Sequence, residues 1–519
     1  MTKEAPLALP AACIVGVVGA GAMGSGIAQV VAVAGHEVRL FDNRAGAAAQ
    51  AVDRIRSTFD RLAGKGRMDV VAAARAADRL AAVAALNELE PCGLVIEAIV
   101  EDLAVKRSLF EALERIVAPG AVLATNTSSI SITALAAGLR HPGRVLGLHF
   151  FNPPPLMALV EVVSGLETDA SVAACLHATA AAWGKRPVHA RSTPGFIVNR
   201  VARPFYAEAL RLLGEGAADV ATLDAVVREA GGFRMGPFEL MDMIGHDVNY
   251  AVTRSVFDAF YGDPRFAPSL LQLELVQGGR LGRKSGRGFY DHRPEAPAPT
   301  PADVAAQNLS GSAWVRSGKP LAEALAARLR ERGVALRREA PHPGSGAGVP
   351  FAGTQAGALL VESDGTTATE VALRLGHRHV IVVDLVLDAA SATRVGVSRA
   401  AGCSDAAARS AFALLQGAGL RVNELKDLPA LAVLRTVAML ANEAADAVHQ
   451  GVGTAAEVDL AMRHGVNYPL GPLAWAERLG WERVVGVLDT LAAFYGDGRY
   501  RASPWLRLRA AADACAALP

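Results

Sequence analysis

The segment Gly19-Ala20-Gly21-Ala22-Met23-Gly24 carries three glycines in a G-x-G-x-x-G spacing, and Asp42 follows Gly24 by 18 residues. The first glycine permits a tight turn, the second lets the backbone approach a pyrophosphate, and the third lets a helix pack close to the preceding strand. Free N–H groups and a partial positive charge at the start of that helix suit the phosphates. A carboxylate about 20 residues further on accepts hydrogen bonds from ribose hydroxyls and repels a 2′-phosphate, which favours NAD over NADP. Arg44 weakens that preference, because an arginine nearby can accommodate the phosphate. A second group lies between Asn126 and Pro155. There the hydroxyls of Thr127, Ser128 and Ser129 close one apolar run and His149 closes the next. A histidine with an ordinary pKa of ~6.5 suits proton abstraction at neutral pH.

These side chains need a sheet to hold them. Residues 14–18 form a short apolar, β-rich run, residues 28–34 suit a buried helix, and residues 38–41 form a second strand closed by Asp42. Strand-like runs recur at 94–99, 121–125, 145–150 and 159–163, with helix-like stretches such as 103–117 between most of them. This alternation predicts a mainly parallel, doubly wound sheet, whose ligands sit beyond the carboxyl ends of the strands. Glu97, Glu101, Asn126, Ser128 and His149 all fall at or just after strand ends, so Ser128 and His149 can face one crevice. Arg54, Arg56, Arg61, Lys65 and Arg67 form a basic amphipathic segment. It reads either as a solvated helix face or as a clamp for a phosphorylated ligand.

With 519 residues the chain has room for two to four domains of roughly 100–200 residues each. A net charge of +1 and an aromatic content of 5% give neither a polybasic field nor a base-stacking surface, so no nucleic-acid partner is expected. Five dispersed cysteines, none at metal-ligand spacing, fit a reducing, cytoplasmic compartment and no metal site. No charged side chain occurs from Ala5 to Gly35, but Gly16, Gly19, Gly21, Gly24, Gly26 and Gly35 make a poor apolar helix. A signal peptide or membrane span is therefore not expected there, and no membrane partner is assigned.

The motifs "VVGAGAMGSGIA", "VIEAIVEDLAVK", "ATNTSSISIT", "GLHFFNPPPLMALVEVV", "TPGFIVNR", "MGPFELMDMIG" and "GRKSGRGFYD" run in order from about residue 12 to residue 292. In this set the chain resembles the short-chain 3-hydroxyacyl-CoA dehydrogenase family. The resemblance implies a catalytic His149 with Glu161 as its partner, a substrate-binding Ser128, and Asn199 as the fourth member of the site. It implies NAD contacts at Gly19, Gly21, Ala22, Met23, Gly24, Asp42, Glu101, Lys106, Ser128, Asn152 and Lys284. It also implies acyl-CoA contacts at Lys65, Ser128 and a neighbouring hydroxyl, Thr58 or Ser57. The chemistry agrees with these roles. Oxidising a secondary alcohol needs a base for the hydroxyl proton while hydride leaves the same carbon. A carboxylate can orient the imidazole and stabilise its protonated form, and Glu161 lies in the strand after His149, where a hairpin-like return can bring the two together. Ser128 and Asn199 can donate to the substrate oxygen.

The second half repeats the first. "MGPFELMDMIG" and "FYGDPRFAPS" return as "LGPLAWAERLG" and "FYGDGRYRASP", and Met235 falls on Leu470, an offset of 235 residues. At that offset Asn199 faces Leu434, His149 faces Asp384 and Glu161 faces Gly396, so the second copy has lost its chemistry. The expected architecture is α/β plus all-α. A Rossmann-type NAD-binding domain (1–192) precedes a helical dehydrogenase C-terminal domain (193–293) and a linker (294–312). A reduced Rossmann-like remnant (313–425) and a second helical domain (426–519) follow. The second helical domain is expected to pack on the first within one chain, imitating the contact that single-copy family members make as dimers. The duplication further resembles long family members of phenylacetate breakdown, which implies 3-hydroxyadipyl-CoA as substrate, with 3-hydroxybutyryl-CoA as the runner-up. A dicarboxylic acyl chain needs a cation near its tail, and Arg200, Arg203 and Arg234 are candidates. A non-enzymatic NAD-binding relative is the other class, and the presence of Ser128, His149, Glu161 and Asn199 together speaks against it. Asp42 predicts a higher kcat/KM with NAD than with NADP at one salt concentration; equal or better efficiency with NADP overturns its assignment.

Overall fold

The computed structural model describes residues 7–309, 311–341 and 348–516. Residues 342–347 of the Pro- and Gly-rich stretch expected around the remnant lie outside them. The chain divides into two compact units, Met1–Arg200 with Gln450–Val466, and Val201–His449 with Asn467–Pro519. The segment Gln450–Val466, which lies within the expected 426–519 domain, falls in the first unit.

The first unit is built on an eight-stranded sheet of order β3-β2-β1-β4-β5-β6-β7-β8. Its strands are β1 Val15–Val18, β2 Val38–Phe41, β3 Leu80–Ala82, β4 Leu94–Glu97, β5 Val122–Thr125, β6 Val145–Phe150, β7 Leu159–Ser164 and β8 Arg186–Arg191. All neighbours run parallel except β6 and β7, the hairpin-like return expected from the sequence. The third and eighth strands were not legible in the sequence: Leu80–Ala82 is very short, and Arg186–Arg191 begins and ends on charged residues. Buried Val15, Val17, Ile27, Val31, Phe59, Ile96, Leu148 and Val162 join the sheet to its covering helices. Register aligns the strand ends. Val18 lies beside Phe41 and Glu97, Glu97 beside Thr125, and Thr125 beside Gly147. The next residues of these strands therefore emerge along one carboxyl edge.

The second unit has a seven-stranded sheet of order β10-β9-β11-β12-β13-β14-β15. These strands are β9 Ala313–Arg316, β10 Leu336–Glu339, β11 Pro350–Thr354, β12 Leu359–Glu362, β13 Val380–Val383, β14 Arg394–Arg399 and β15 Arg421–Glu424. The last four repeat β5–β8, with parallel, antiparallel and parallel pairings in the same order. The 235-residue offset holds for the strands and helices named next, and is 234 at "FYGD", where Phe260 falls on Phe494. The starts of β6, β7 and β8 fall on those of β13, β14 and β15, helix Ala170–Ala182 falls on Asp405–Gly417, and helix Pro237–Ile244 falls on Pro472–Leu479. In place of a β1–β4 half the copy has β9, helix Pro320–Glu331, β10 and an antiparallel β11. That segment contains no G-x-G-x-x-G turn.

Inside the second unit the two helical segments meet through charge as well as apolar surface. Arg435, fully buried on helix Val433–His449, donates from Nε to Glu208 at 2.8 Å and from Nη1 to Glu215 at 3.0 Å. Its Nη1 also reaches the Tyr495 hydroxyl at 2.8 Å, and Nη2 the Tyr500 hydroxyl at 2.5 Å. Arg265 meets Glu443 at 2.9 Å and also pairs with Asp446. Glu208 is itself fully buried, so removing one partner leaves a buried charge under-compensated. Arg435→Met should lower stability toward the lower end of about 3–5 kcal/mol, since Arg211 still pairs with Glu208. Urea unfolding measures this, and a change below about 0.5 kcal/mol, the scale of an inert surface substitution, contradicts it.

Candidate active site

The glycine turn follows β1 and opens helix Ala22–Val33. Gly19 has φ +106°, a conformation that favours glycine. A Cβ on Gly24 would lie 1.8 Å from the Gly19 carbonyl, so only glycine allows the helix this close to its own turn. A Cβ on Gly21 would meet nothing within 4 Å. Open space therefore lies over the first turn of the helix, where no side chain caps the amides and no acidic residue is present. A cavity of about 430 Å³ adjoins it, lined by Gly21, Ala22, Ser25, Arg44 and Arg54 among others. An uncapped helix start beside an open, Arg-flanked cavity fits a pyrophosphate. Met23 sits partly buried in the same turn.

Asp42 closes β2 beside this turn. Its carboxylate accepts from the amides of Ala20 at 2.8 Å and Arg44 at 2.9 Å and from Arg44 Nε at 3.3 Å. Burial opposes its ionisation, but these hydrogen bonds and the guanidinium outweigh it and hold the carboxyl below its ordinary range. The arginine that weakened the case for NAD is thus folded onto the carboxylate in this structure.

Glu101, Ser128 and Lys106 form one connected group. Glu101 Oε1 accepts from Thr127 Oγ1 at 2.5 Å, from the Ser128 amide at 3.1 Å and from Ser129 Oγ at 3.1 Å. It is the anchor that fixes the hydroxyl loop carrying Ser128. Burial works against its charge, and the Thr127 hydroxyl and Lys106 ammonium more than offset that and lower its pKa. Lys106 is 1% exposed, lies 2.5 Å from Glu97 and 3.3 Å from Glu101, and sits beneath the loop. Expected as a cofactor contact, Lys106 here braces Glu97 and Glu101 with its ammonium. Thr125 completes the buried group by donating to Glu97 at 2.7 Å.

His149 and Glu161 are direct partners across the antiparallel β6–β7 pair. His149 Nδ1 lies 2.6 Å from Glu161 Oε2, with the histidine 6% and the glutamate 0% exposed. The other carboxylate oxygen accepts from the amides of Ile197 and Val198, each at 3.0 Å. Those amides start the short helix Val198–Val201, and Asn199 follows directly, partly exposed. One carboxylate thus fixes the imidazole and the segment that presents Asn199. With Nδ1–H donating to Glu161, the Nε2 lone pair is the basic site. Phe151 and Phe196 flank the ring at centroid distances of 4.5 and 5.8 Å.

Other expected residues fall elsewhere. Asn152 is exposed just after β6. Thr58 sits on helix Ala47–Gly64, where its hydroxyl donates to the Arg54 carbonyl at 2.9 Å, and exposed Lys65 caps that helix. Neighbouring Ser57 is exposed. The basic segment is divided in function. Arg54 lines the cavity by the glycine turn, while Arg56 is turned onto the carbonyls of Ala77 and Leu80 at 3.4 and 2.9 Å. Lys284 belongs to the second unit, where it pairs with Asp247 at 2.5 Å.

Two supporting residues, Lys185 and Gly26, escaped the sequence reading, and a third, Asn126, was placed at a strand end but given no role. Asn126 Oδ1 accepts from the Phe150 amide at 2.8 Å and ties the end of β5 to that of β6; its place at a strand end was the available signal. Lys185, 8% exposed, donates to the carbonyls of Pro154 at 2.5 Å and Met157 at 3.0 Å and so clamps the loop after Asn152 from below. Burial pushes its pKa down. Gly26 touches the same loop, since a Cβ there would lie 2.7 Å from Pro154 Cδ. Nothing local in the sequence marks either contact.

Three family profiles match the chain. The 3-hydroxyacyl-CoA dehydrogenase NAD-binding domain covers residues 14–193, and the C-terminal domain of that family covers 195–292 and again 432–515. The 3-hydroxybutyryl-CoA dehydrogenase reduced Rossmann-fold domain covers 360–429. The chain is 44% identical to the 3-hydroxyadipyl-CoA dehydrogenase of Escherichia coli K12 over 96% of its own length and 97% of that protein. It is 41% identical to a probable 3-hydroxybutyryl-CoA dehydrogenase of Bacillus subtilis, over 53% of this chain and 96% of that one. Among solved structures, a 3-hydroxybutyryl-CoA dehydrogenase from Escherichia coli K12 superposes with a TM-score of 0.88 at 43% identity, covering 97% of this chain and 99% of that one.

The contact between Gly26 and the rigid Pro154 ring yields a test. Gly26→Ala should destabilise the protein by about 1–3 kcal/mol through overpacking and raise the KM for NAD by shifting the Asn152 loop. Thermal unfolding together with NAD titration checks both, and an unchanged melting temperature removes the contact from the account.

Proposed function

Because the chain belongs to the 3-hydroxyacyl-CoA dehydrogenase family, we propose that it oxidises the 3-hydroxyl of 3-hydroxyadipyl-CoA to the 3-oxo product, with His149 as the base. The family assignment carries NAD as the cofactor and an acyl-CoA as the substrate class. The observation that carries the catalytic assignment is the His149–Glu161 hydrogen bond at 2.6 Å, which leaves Nε2 as the basic nitrogen. His149 Nε2 takes the hydroxyl proton, and Glu161 stabilises the imidazolium that forms. Ser128 and Asn199 donate to the substrate oxygen and hold the carbon in place. Bound NAD supplies the hydride acceptor. The glycine turn at Gly19–Gly24 and the uncapped helix start hold its pyrophosphate, Asp42 binds its ribose hydroxyls, and Asn152 and Lys284 add contacts. Thr58 and Lys65 receive the CoA part. The adipyl assignment draws on the near full-length similarity to a protein of that name.

A second reading is 3-hydroxybutyryl-CoA, favoured by the near full-length structural match that carries that name. A panel of 3-hydroxyacyl-CoA substrates decides between the two. The domain boundaries given above, the phenylacetate pathway, a cytoplasmic location and assembly into a homo-oligomer belong to the same proposal. Among the described residues no helix is long and apolar enough to cross a membrane.

His149→Ala should lower kcat by about 10²–10⁴-fold in the oxidation of NADH by acetoacetyl-CoA, where the protonated histidine returns the proton to the substrate oxygen, the typical contribution of a general acid–base group. Glu161→Gln should also lose activity without unfolding, because a carboxamide turned toward Nδ1 favours the tautomer with its proton on Nε2. Retention of most of the kcat by a folded His149→Ala variant assigns the base elsewhere.

A further inference from the structure

Of the three arginines that the sequence offers near a dicarboxylic tail, Arg234 is exposed and Arg200 donates to Gln450 at 2.9 Å. Arg203 is different. It begins helix Arg203–Gly214 in the second unit and is 5% exposed. Among the described residues its side chain makes one hydrogen bond, from Nη1 to Thr253 Oγ1 at 3.1 Å. Its guanidinium lies 4.8 Å from the Tyr206 ring, and Nε is buried without a partner. Burial lowers its pKa, opposed only by the phenols of Tyr206 and Tyr468; no carboxylate contributes. A desolvated cation with no counter-charge is strongly unfavourable, and anions are the groups that relieve it.

Arg203 also lines a cavity of about 350 Å³ with Tyr206, Leu210, Thr253, Phe266 and Leu271. Leu270, at 77% exposure, and Leu271, at 41%, give the cavity an apolar border open to solvent. Two other cations border it, but their charges are met. Arg211 pairs with Glu208, and Arg499 pairs with Asp497 at 2.5 Å. Among the described residues one uncompensated positive charge remains. That balance suits a monoanion rather than a phosphate dianion, and a planar guanidinium matches the geometry of a carboxylate.

We propose that this cavity binds a carboxylate carried on a short apolar chain, with the carboxylate paired to Arg203 and the chain along Leu210 and Leu271. The ligand is either a free short-chain acid or the ω-carboxylate of a dicarboxylic acyl-CoA, and the recognition chemistry is the same. Only the second source rests on the function proposed above.

Isothermal titration of the full-length chain with hexanoate and with hexan-1-ol, without NAD or any CoA ester, tests the site independently of turnover. Hexanoate should bind and hexan-1-ol should not. Arg203→Met should weaken hexanoate at least tenfold. It should fold, because it removes an uncompensated buried cation, and circular dichroism checks this. Arg203→Gln, which keeps a donor for Thr253 without the charge, should give the same loss. No hexanoate binding to the wild type, or equal binding to the folded variants, overturns the proposal. Comparison of kcat/KM on 3-hydroxyadipyl-CoA and 3-hydroxyhexanoyl-CoA then separates the sources. A selective tenfold loss on the adipyl substrate through KM in Arg203→Met makes the carboxylate the substrate's own. An unchanged ratio with hexanoate binding lost makes it a separate acid.

Discussion

The carboxylate of Glu161 is the constraint on which the site depends. It has no exposure, and its hydrogen bonds are shared between an imidazole on the neighbouring strand and two amides at the start of a helix. A buried carboxylate in that position is tolerable only because all of these donors converge on it. The cross-strand register makes convergence possible. His149 and Glu161 are directly opposed, so the two side chains rise from the same face of the sheet. A shift of one residue in either strand would send one of them to the opposite face and leave the carboxylate buried without its imidazole.

The second copy meets the same helix-start requirement with different chemistry. At the histidine's position Asp384 turns its carboxylate onto the amides of Ala432, Val433 and Leu434 at 3.0, 2.8 and 3.1 Å. Ala432 and Val433 are the counterparts of Ile197 and Val198, which Glu161 holds in the first copy. The turn before the helix is also retained, with φ of 47° at Phe196 and 48° at Leu431. The glutamate position holds Gly396, whose carbonyl accepts from the Asp384 amide at 2.9 Å. A shorter acid on the adjacent strand satisfies the helix without a histidine between. Losing the histidine and the glutamate therefore did not require dismantling the fold, since the glutamate's structural share passed to Asp384.

How far the sequence could be read follows from the range of each interaction. The glycine turn, Asp42 and the strand-end places of Ser128 and His149 were legible, because turn chemistry and apolar periodicity are local. The copy and its offset were legible because the motifs recur in the same order at nearly constant spacing. The pairing of Lys106 with Glu97 was not legible, because the sequence puts the lysine on a helix near the cleft but does not say that its side chain turns inward. Lys185 and Gly26 were invisible, since both act on Pro154, which is distant in the chain. The seven strands of the second sheet exceed the small remnant expected. Its extra strands β9 to β11 share no residues with the repeat that identified the rest.

The second copy also serves the first unit's sheet. Strand β8 is an edge, and edge amides left open are templates for unwanted pairing. The segment Gln450–Val466 covers it. The Val452 carbonyl accepts from the Arg191 amide at 2.8 Å, and Glu457 Oε1 accepts from the His189 amide at 3.0 Å. Behind them Gly465 lies so close to Leu159 that a Cβ there would sit 2.7 Å from Leu159 Cδ2. Since β8 pairs along its length with β7, and β7 carries Glu161, protecting the edge also protects the register that aligns Glu161 with His149. The repeat that discarded its own base thus supports the pairing on which the remaining one depends.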